Sequence, residues 1–159
     1  MKKYKPILIL IVIICTTWYV STYHIQIALI QGDSMEPTYT SFQPVLIDKT
    51  PKSLVNGTVI LFYCESLNSY LIKRIVAGPG DEVSIRNHAL YVNGIQSPDV
   101  NGIITYAGSA QESIFLQSNE YFVLGDNYAL SKDSRYPEIG IVYQDDIIGS
   151  IIPQIDTYK

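Results

Sequence analysis

Residues that form disulfides or bind metals are scarce in this 159-residue chain. It has two cysteines, Cys15 and Cys64, and two histidines, His24 and His88. Cys15 lies inside an apolar run, so a disulfide with Cys64 is not expected. These four residues also have neither the number nor the spacing of a zinc site. The sequence therefore predicts a protein without a disulfide framework and without a metal site.

Positive charge is also scarce. Lysine and arginine number 11 against 15 aspartates and glutamates, which gives a formal net charge of −4, and no basic cluster follows the N-terminus. A nucleic-acid-binding protein needs a basic face that neutralises phosphates, so this class is not expected. There is no internal repeat and no low-complexity tract, and the length suits one domain with a short additional element.

One long apolar run is present, from Ile7 to Tyr23. It reaches the lower end of the ~17–25 residues that a membrane-spanning helix needs. Lys2, Lys3 and Lys5 precede it, and no positive cluster follows, which predicts that the N-terminus lies inside the cell. A cleavable signal peptide is the alternative, but the run does not end in an A-x-A-like triplet. The sequence thus predicts three segments: a cytoplasmic N-terminus (1–6), a single-pass transmembrane anchor (7–23) and an extracytoplasmic domain (24–159).

The remainder has the pattern of a mostly β domain. From about Ile25, short runs rich in Ile, Val, Tyr, Phe and Thr alternate with turn signals, and no long stretch has a 3.6-residue apolar period. Asn87-His88 predicts the turn of a hairpin. The polar stretch from Ser97 to Ser113 is expected to be a long surface excursion. The predicted strands are Val45–Ile47, Thr58–Tyr63, Tyr70–Val76, Glu82–Arg86, Ala89–Val92, Tyr121–Leu124 and Ile147–Ile152.

A candidate nucleophile follows the apolar run. Ser34 lies in the segment Gly32-Asp33-Ser34-Met35-Glu36-Pro37, whose glycine and proline suit a rigid turn that projects the serine hydroxyl. An ordinary surface turn explains this segment equally well. A nucleophilic serine also needs a base. The two histidines are poorly placed for a Ser-His-Asp triad, and the chain has neither an S-x-x-K motif nor G-x-S-x-G around Ser34.

Lysine is the remaining candidate base. Strand alternation places Lys73 between Leu71 and Ile75 on one face, which is an expensive position for an ammonium group. Lowering a lysine pKa by about 3 from its usual ~10.4 costs roughly 4 kcal/mol, and burial among aliphatic side chains can supply it. The alternative is a lysine that protects an edge strand against aggregation.

A third segment of interest is the polar loop after the strand Tyr121–Leu124, from Gly125 to Arg135. Small polar residues in such a loop can offer a hydroxyl that orients a lysine and an Asp/Arg pair that fixes the loop. An ordinary turn rich in Asp and Asn is the alternative.

Taken together and in this order, these segments resemble type I signal peptidases of the Gram-positive bacterial pattern. The resemblance rests on three elements: Gly32–Thr38, Lys73–Asp81 and Gly125–Arg135. It implies a β-rich catalytic domain at the outer surface of the cell membrane. Such a serine endopeptidase cuts signal peptides from exported preproteins after small residues, at Ala-x-Ala type sites. It uses no cofactor and works beside the protein export machinery.

The resemblance also implies a role for individual residues. Ser34 is expected to be the nucleophile and Lys73 the general base. Strands Ile25–Ile30 and Tyr70–Lys73 are expected to flank an extended substrate. The remaining roles are orientation of the lysine by Ser131, support of the loop by Asp133 and Arg135, support of the same wall by Asp126 and Asn127, and substrate binding by Met35 and Ile72.

Two departures from the family pattern concern the surroundings of the dyad. Gly32 replaces a serine that some members have two residues before the nucleophile. The oxyanion is then left to the Ser34 N–H and a second donor that the sequence does not identify. The element from Asn56 to Phe62 is also altered, which leaves its loop geometry open.

Two other functions remain as alternatives. A Ser/Lys self-cleaving regulator similar to the LexA group would have a DNA-binding module at the N-terminus, where this chain has an apolar run. A non-catalytic or degenerate membrane-tethered β module would bind preproteins or peptides without cutting them. In that module, Ser34 and Lys73 could be replaced freely.

Overall fold

The computed structural model describes residues 4–98, 100 and 102–153. Lys2, Lys3 and the C-terminal end of the predicted extracytoplasmic domain lie outside the described residues. The described elements are helix α1 (Lys5–Tyr23) and strands β1 (Ile25–Leu29), β2 (Pro44–Asp48), β3 (Val59–Cys64), β4 (Ser69–Ala77), β5 (Glu82–Arg86), β6 (Ala89–Val92), β7 (Ile95–Gln96), β8 (Ile114–Phe115), β9 (Glu120–Leu124), β10 (Val142–Tyr143) and β11 (Ile147–Ile151), with 3-10 helices at Gly108–Gln111 and Gln144–Asp146. The mostly β prediction is therefore confirmed.

Helix α1 covers the apolar run at the N-terminus. Its large apolar side chains from Ile7 to Ile14 are each more than half exposed. Its first residue is Lys5, and Thr16 and Thr17 interrupt the apolar sequence. Among the residues that the structure describes, no helix is long and apolar enough to cross a membrane. The prediction of a membrane-spanning anchor over 7–23 is therefore not supported.

A seven-stranded sheet holds the segments of interest, in the order β1-β2-β11-β3-β4-β9-β10. Strand β4 pairs with β3 along its length from Ser69 to Arg74. Its pairing with β9 on the other side begins only at Arg74. Within the described chain, the stretch Ser69–Lys73 therefore has an open edge, and β1 forms the outer edge of the same sheet. Open edges of this kind can hydrogen-bond an extended peptide.

A second sheet has four strands in the order β7-β6-β5-β8. The predicted hairpin joins β5 and β6, and its turn residues Asn87 and His88 both have positive φ, at 50° and 65°. Two positive φ values are typical of the tight turns whose twist matches that of paired strands. The prediction of this hairpin is confirmed.

The expected surface excursion from Ser97 to Ser113 is wrong in part. Ile104 and Ala110 from this stretch are fully buried and pack with Leu90, Phe122 and Leu124 in one of the core clusters. Single apolar residues in a loop have no periodic pattern, so their burial cannot be predicted from the sequence. The seven predicted strands agree with observed strands to within one residue at each end. The unpredicted strands β7, β8 and β10 have two residues each, too few to show alternation.

Candidate active site

Ser34 lies in the turn that connects β1 to β2 and is half-buried. Gly32 has a φ of +82°, a conformation that side chains disfavour. The Gly32 N–H donates a hydrogen bond to the Ser41 hydroxyl at 3.1 Å. The Asn127 N–H donates to the Ser34 carbonyl oxygen at 3.0 Å. The serine turn is therefore attached at Gly32 to its own loop and at Ser34 to the loop after β9.

Lys73 approaches this serine from the middle of the sheet. Its Nζ donates hydrogen bonds to Ser34 Oγ at 2.8 Å and to the Ile72 carbonyl oxygen at 3.0 Å. Ser34 and Lys73, which are 39 residues apart in sequence, are thus in direct contact. Lys73 is only 3% exposed. Burial lowers its pKa from 10.5 to about 8, although the negative charges of Asp133 and Asp126 act in the opposite direction.

Asp133 and Arg135 form a fully buried ion pair within the loop that follows β9. The Arg135 guanidinium donates to both carboxylate oxygens, at 2.7 and 2.9 Å, and also to the carbonyl oxygens of Tyr128 and Ser131. The second carboxylate oxygen also accepts the Gly125 N–H at 3.1 Å. Because both charges are hydrogen-bonded on several sides, the pair fixes both ends of this loop.

Ser131 is buried in the same loop, but its predicted bond to the lysine is not formed in this structure. Its side chain is 1% exposed. Among the described residues, its hydroxyl has no hydrogen-bond partner. A buried hydroxyl without a partner is uncommon and costs free energy, which makes such a group a candidate for a functional role.

Two residues near Ser34 and Lys73 are not among those predicted from the sequence. A side chain at Gly125 would overlap both the Ser131 hydroxyl and the Ser34 carbonyl oxygen, so only glycine allows these groups to approach. Arg74 lies next to Lys73 on β4 and donates from Nε and Nη2 to Asp126 at 2.8 and 2.5 Å. The steric role of Gly125 has no signature in the sequence. Arg74 does have one, because an arginine on a strand needs an acidic partner, and the polar loop contains acidic residues.

Arg74 also contacts the altered element that begins at Asn56. Arg74 Nη1 donates to the Gly57 carbonyl oxygen at 2.7 Å, and Gly57 N–H donates to the Ile75 carbonyl oxygen. The hydrogen bond to Asp126 raises the pKa of Arg74, so the guanidinium remains charged. Asp126 therefore pairs with Arg74, and it precedes Asn127, whose N–H binds the Ser34 carbonyl oxygen.

A groove of about 600 Å³ leads away from Ser34 and Lys73. The predicted substrate-binding residues Met35 and Ile72 both line it, with Met35 fully buried in its floor. Ile30 and Leu61 add to the same apolar floor. Within the described part of the chain, no group of three or more His, Cys, Asp or Glu residues could hold a metal ion. The site thus combines a serine hydroxyl, a buried lysine amine and an apolar groove, the components of acyl transfer to serine.

Comparisons with known proteins agree with this arrangement. The family model described as "Signal peptidase, peptidase S26" matches residues 3–154. Signal peptidase I U of Bacillus subtilis (strain 168) is 32% identical over 136 residues, covering 77% of this chain and 71% of that protein. Signal peptidase IB of Staphylococcus aureus (strain Mu50) is 32% identical over 142 residues, covering 77% and 73%. The crystal structure of a signal peptidase I from Enterococcus faecalis V583 has a TM-score of 0.53 and 30% identity, covering 64% of this chain and 98% of that one. Since the family match extends over nearly the whole sequence, this chain belongs to the signal peptidase family, peptidase S26, as a type I signal peptidase.

Proposed function

We propose that this chain removes N-terminal signal peptides from exported preproteins, with Ser34 as the nucleophile and Lys73 as the general base. The main support is the 2.8 Å contact between Lys73 Nζ and Ser34 Oγ at a lysine that is 3% exposed. A serine hydroxyl is a weak nucleophile unless a neighbouring base accepts its proton. A buried lysine with a pKa of about 8 is neutral often enough near neutral pH to be that base.

In the first half of the reaction, Ser34 becomes acylated. The neutral Lys73 amine accepts the proton of Ser34 Oγ, and Oγ forms a bond to the carbonyl carbon before the cut. The resulting ammonium then gives this proton to the departing nitrogen, and the C–N bond breaks. The Ser34 N–H is proposed to donate to the developing oxyanion. The mature protein leaves with a new amino terminus.

In the second half, water releases the signal peptide. Lys73 accepts a proton from the water, whose oxygen attacks the acyl carbon, and the same proton returns to Ser34 Oγ as the ester bond breaks. Ser131 is proposed to orient the lysine amine during these transfers. Its buried hydroxyl in the wall of the same site supports this role. We expect Ser131→Ala to lower kcat about tenfold without lowering the urea midpoint, since it removes a hydroxyl that has no partner; an unchanged kcat would refute the role.

Cleavage is proposed to follow small residues, at Ala-x-Ala type sites. The apolar floor formed by Met35, Ile72 and Leu61 supports this, because Met35 and Leu61 are buried in a core cluster beside Ser34. A large side chain before the cut would have to displace buried residues, whereas a small one would fit. Equal rates for preproteins with Ala and with Phe immediately before the cut would refute this specificity.

We also propose that the chain works at a lipid bilayer beside the export machinery, with its catalytic domain on the extracytoplasmic face. The exposed apolar side chains of helix α1 support association with lipid. The measurement is flotation with liposomes, followed by protease accessibility of the β domain in intact cells from which the wall has been removed. A chain that stays at the bottom of the gradient would refute lipid association.

The decisive experiment compares wild type, Ser34→Ala and Lys73→Ala on a preprotein with an Ala-x-Ala site, with the product mass measured. We expect wild type to cut once, after the second alanine, and both variants to be inactive. Binding without cleavage by wild type would instead support the degenerate, preprotein-binding alternative. Cleavage by the variants at the wild-type rate would refute the assigned dyad.

A further inference from the structure

The groove beside the dyad changes character along its length. Close to Ser34 and Lys73 its floor is apolar, with Ile30, Met35 and Ile72, and the exposed Gln31 lies at its margin. Three uncharged polar residues, Gln26, Asn68 and Ser69, line its far end together with the exposed Tyr70. Among the described residues that line the groove, Lys73 alone is charged. The far end therefore offers hydrogen-bonding groups without a net charge.

The spacing of these residues relates the far end to a particular substrate position. Ser69 precedes Lys73 by four residues on β4, which corresponds to about 13 Å at ~3.3 Å per residue. An extended peptide that lies along this open edge advances at the same rate. Its first, third and fifth residues before the cut then point to the same side. The residue that reaches Ser69 is the fifth, and its side chain points into the groove as the first and third do.

The hydrogen bonds of Asn68 leave its amide group available to a substrate. Asn68 Oδ1 accepts a hydrogen bond from the Tyr63 hydroxyl at 2.6 Å. This contact fixes the side chain and leaves the two N–H groups of Nδ2 as donors. Within the described chain, the side chains of Gln26 and Ser69 have no hydrogen-bond partner and are exposed. All three residues can therefore bind a ligand without breaking an existing contact.

We propose that Gln26, Asn68 and Ser69 form a polar subsite that selects a hydroxyl or amide side chain at the fifth residue before the cut. This inference rests on the proposed function, since it assumes that the peptide before the cut occupies the groove. Small residues at the first and third positions meet the apolar floor, and the fifth meets the polar end. The enzyme thus recognises a change from polar to small apolar residues along the substrate.

The test uses peptides with alanine at the first and third positions before the cut and Ser, Gln, Leu or Lys at the fifth. For wild type, we expect kcat/KM for Ser and Gln to exceed that for Leu about threefold to tenfold, the ratio that one net hydrogen bond provides. Gln26→Leu is expected to bring this ratio close to one. Gln96→Leu is the matched control, because Gln96 is also an exposed glutamine on an edge strand but lies in the second sheet.

A charge change gives a second, independent readout. Asn68→Asp keeps an oxygen for the Tyr63 hydroxyl, and aspartate also tolerates the positive φ of 47° at this position. We expect this variant to prefer Lys over Leu at the fifth position about fivefold, a preference that wild type lacks. A role of Asn68 in the turn alone would not produce it.

Binding to the Ser34→Ala variant separates this inference from the proposed function. The Kd values of the same peptides are expected to follow the same order as kcat/KM. If wild type cuts every peptide at the same rate whatever the fifth residue, the subsite is refuted and the proposed function stands. If no peptide is cut but Kd still favours Ser and Gln, the subsite is supported and the catalytic proposal fails. Equal Kd values together with no cleavage would refute both.

Discussion

Replacing Lys73 with methionine is expected to stabilise the protein while abolishing its activity. Folding transfers this lysine from water to a position that is 3% exposed, and its pKa falls from 10.5 to about 8. At 1.36 kcal/mol for each tenfold change in proton affinity, the charged lysine destabilises the fold by about 3 kcal/mol at neutral pH. Methionine has a similar length and no charge, so this cost is absent in Lys73→Met.

The pH dependence of this effect has a definite sign. The unfolded chain keeps the ordinary lysine pKa, so between about pH 8 and 10.5 it binds more protons at this residue than the folded chain does. The stability of wild type therefore rises with pH in this window, whereas the cost of the charged lysine is fully present below pH 8. Lys73→Met lacks this contribution. The free-energy difference between variant and wild type is expected to fall by about 2 kcal/mol from pH 6.5 to pH 9.5.

The assay is urea unfolding of both full-length proteins in the same detergent at pH 6.5, 8 and 9.5. Comparison at each pH cancels the titration of other groups and the contribution of helix α1. The lost hydrogen bonds to Ser34 Oγ and the Ile72 carbonyl oxygen affect the difference nearly equally at every pH. A difference that does not change between pH 6.5 and 9.5 would show that Lys73 has an ordinary pKa in the folded protein. The assignment of Lys73 as a neutral base would then be wrong.

Three further predictions concern the same site. The value of kcat/KM is expected to rise with pH to a plateau, with an apparent pKa near 8, as Lys73 loses its proton. Initial rates of cleavage of an Ala-x-Ala peptide, measured as a function of pH, test this. Asp133→Asn is expected to lower the unfolding free energy by about 3 kcal/mol, because it leaves the buried Arg135 charge without its partner; urea unfolding measures it. Gly125→Ala is expected to lower kcat more than tenfold, because the new methyl group overlaps the Ser34 carbonyl oxygen; steady-state kinetics measure it.

Each prediction has an outcome that would contradict it. A flat or falling pH profile between pH 7 and 9 would exclude a neutral Lys73 as the base. Asp145→Asn is the control for the ion pair, because Asp145 is exposed. This change is expected to lower the unfolding free energy by less than about 0.5 kcal/mol. Equal losses of unfolding free energy at both positions would refute the special role of the buried pair. Gly78→Ala is the glycine control, since its methyl group would lie at an ordinary 3.6 Å from Tyr121, and similar kcat losses in both variants would refute the steric argument.

Elements with clear local patterns could be predicted from the sequence. The hairpin at Asn87-His88 follows from residues that tolerate positive φ between two alternating strands, and the long strand with Lys73 follows from its aliphatic residues. The two-residue strands and the burial of Ile104 depend on tertiary contacts that no window of sequence contains. The membrane-spanning anchor was predicted from an apolar run near the minimum length, where small differences in polarity at the ends decide the outcome.

At the candidate site, too, some features could be predicted from the sequence and others could not. The residue types of Ser34, Lys73 and the Asp133–Arg135 pair are visible in the sequence, because each has chemistry that an ordinary loop or strand does not need. The partners of these groups are not visible. The pairing of Arg74 with Asp126 and the absence of a bond from Ser131 to Lys73 result from how two loops meet across the sheet, and alternation within one strand cannot show this.

Two features of the described structure that lower its stability lie close together. This supports a catalytic rather than a structural role for the site. A charged lysine without a paired carboxylate and a buried hydroxyl without a partner both lower stability. The hydroxyl lies in a loop that a fully buried ion pair holds in place, and Arg74, which follows the lysine on its strand, pairs with Asp126 of the same loop. A protein that only bound peptides would gain stability from a methionine at 73 and an alanine at 131 and would lose nothing. A Ser/Lys hydrolase needs both costs, because a lysine with an ordinary pKa of about 10.5 would be neutral in only about 0.03% of molecules at pH 7.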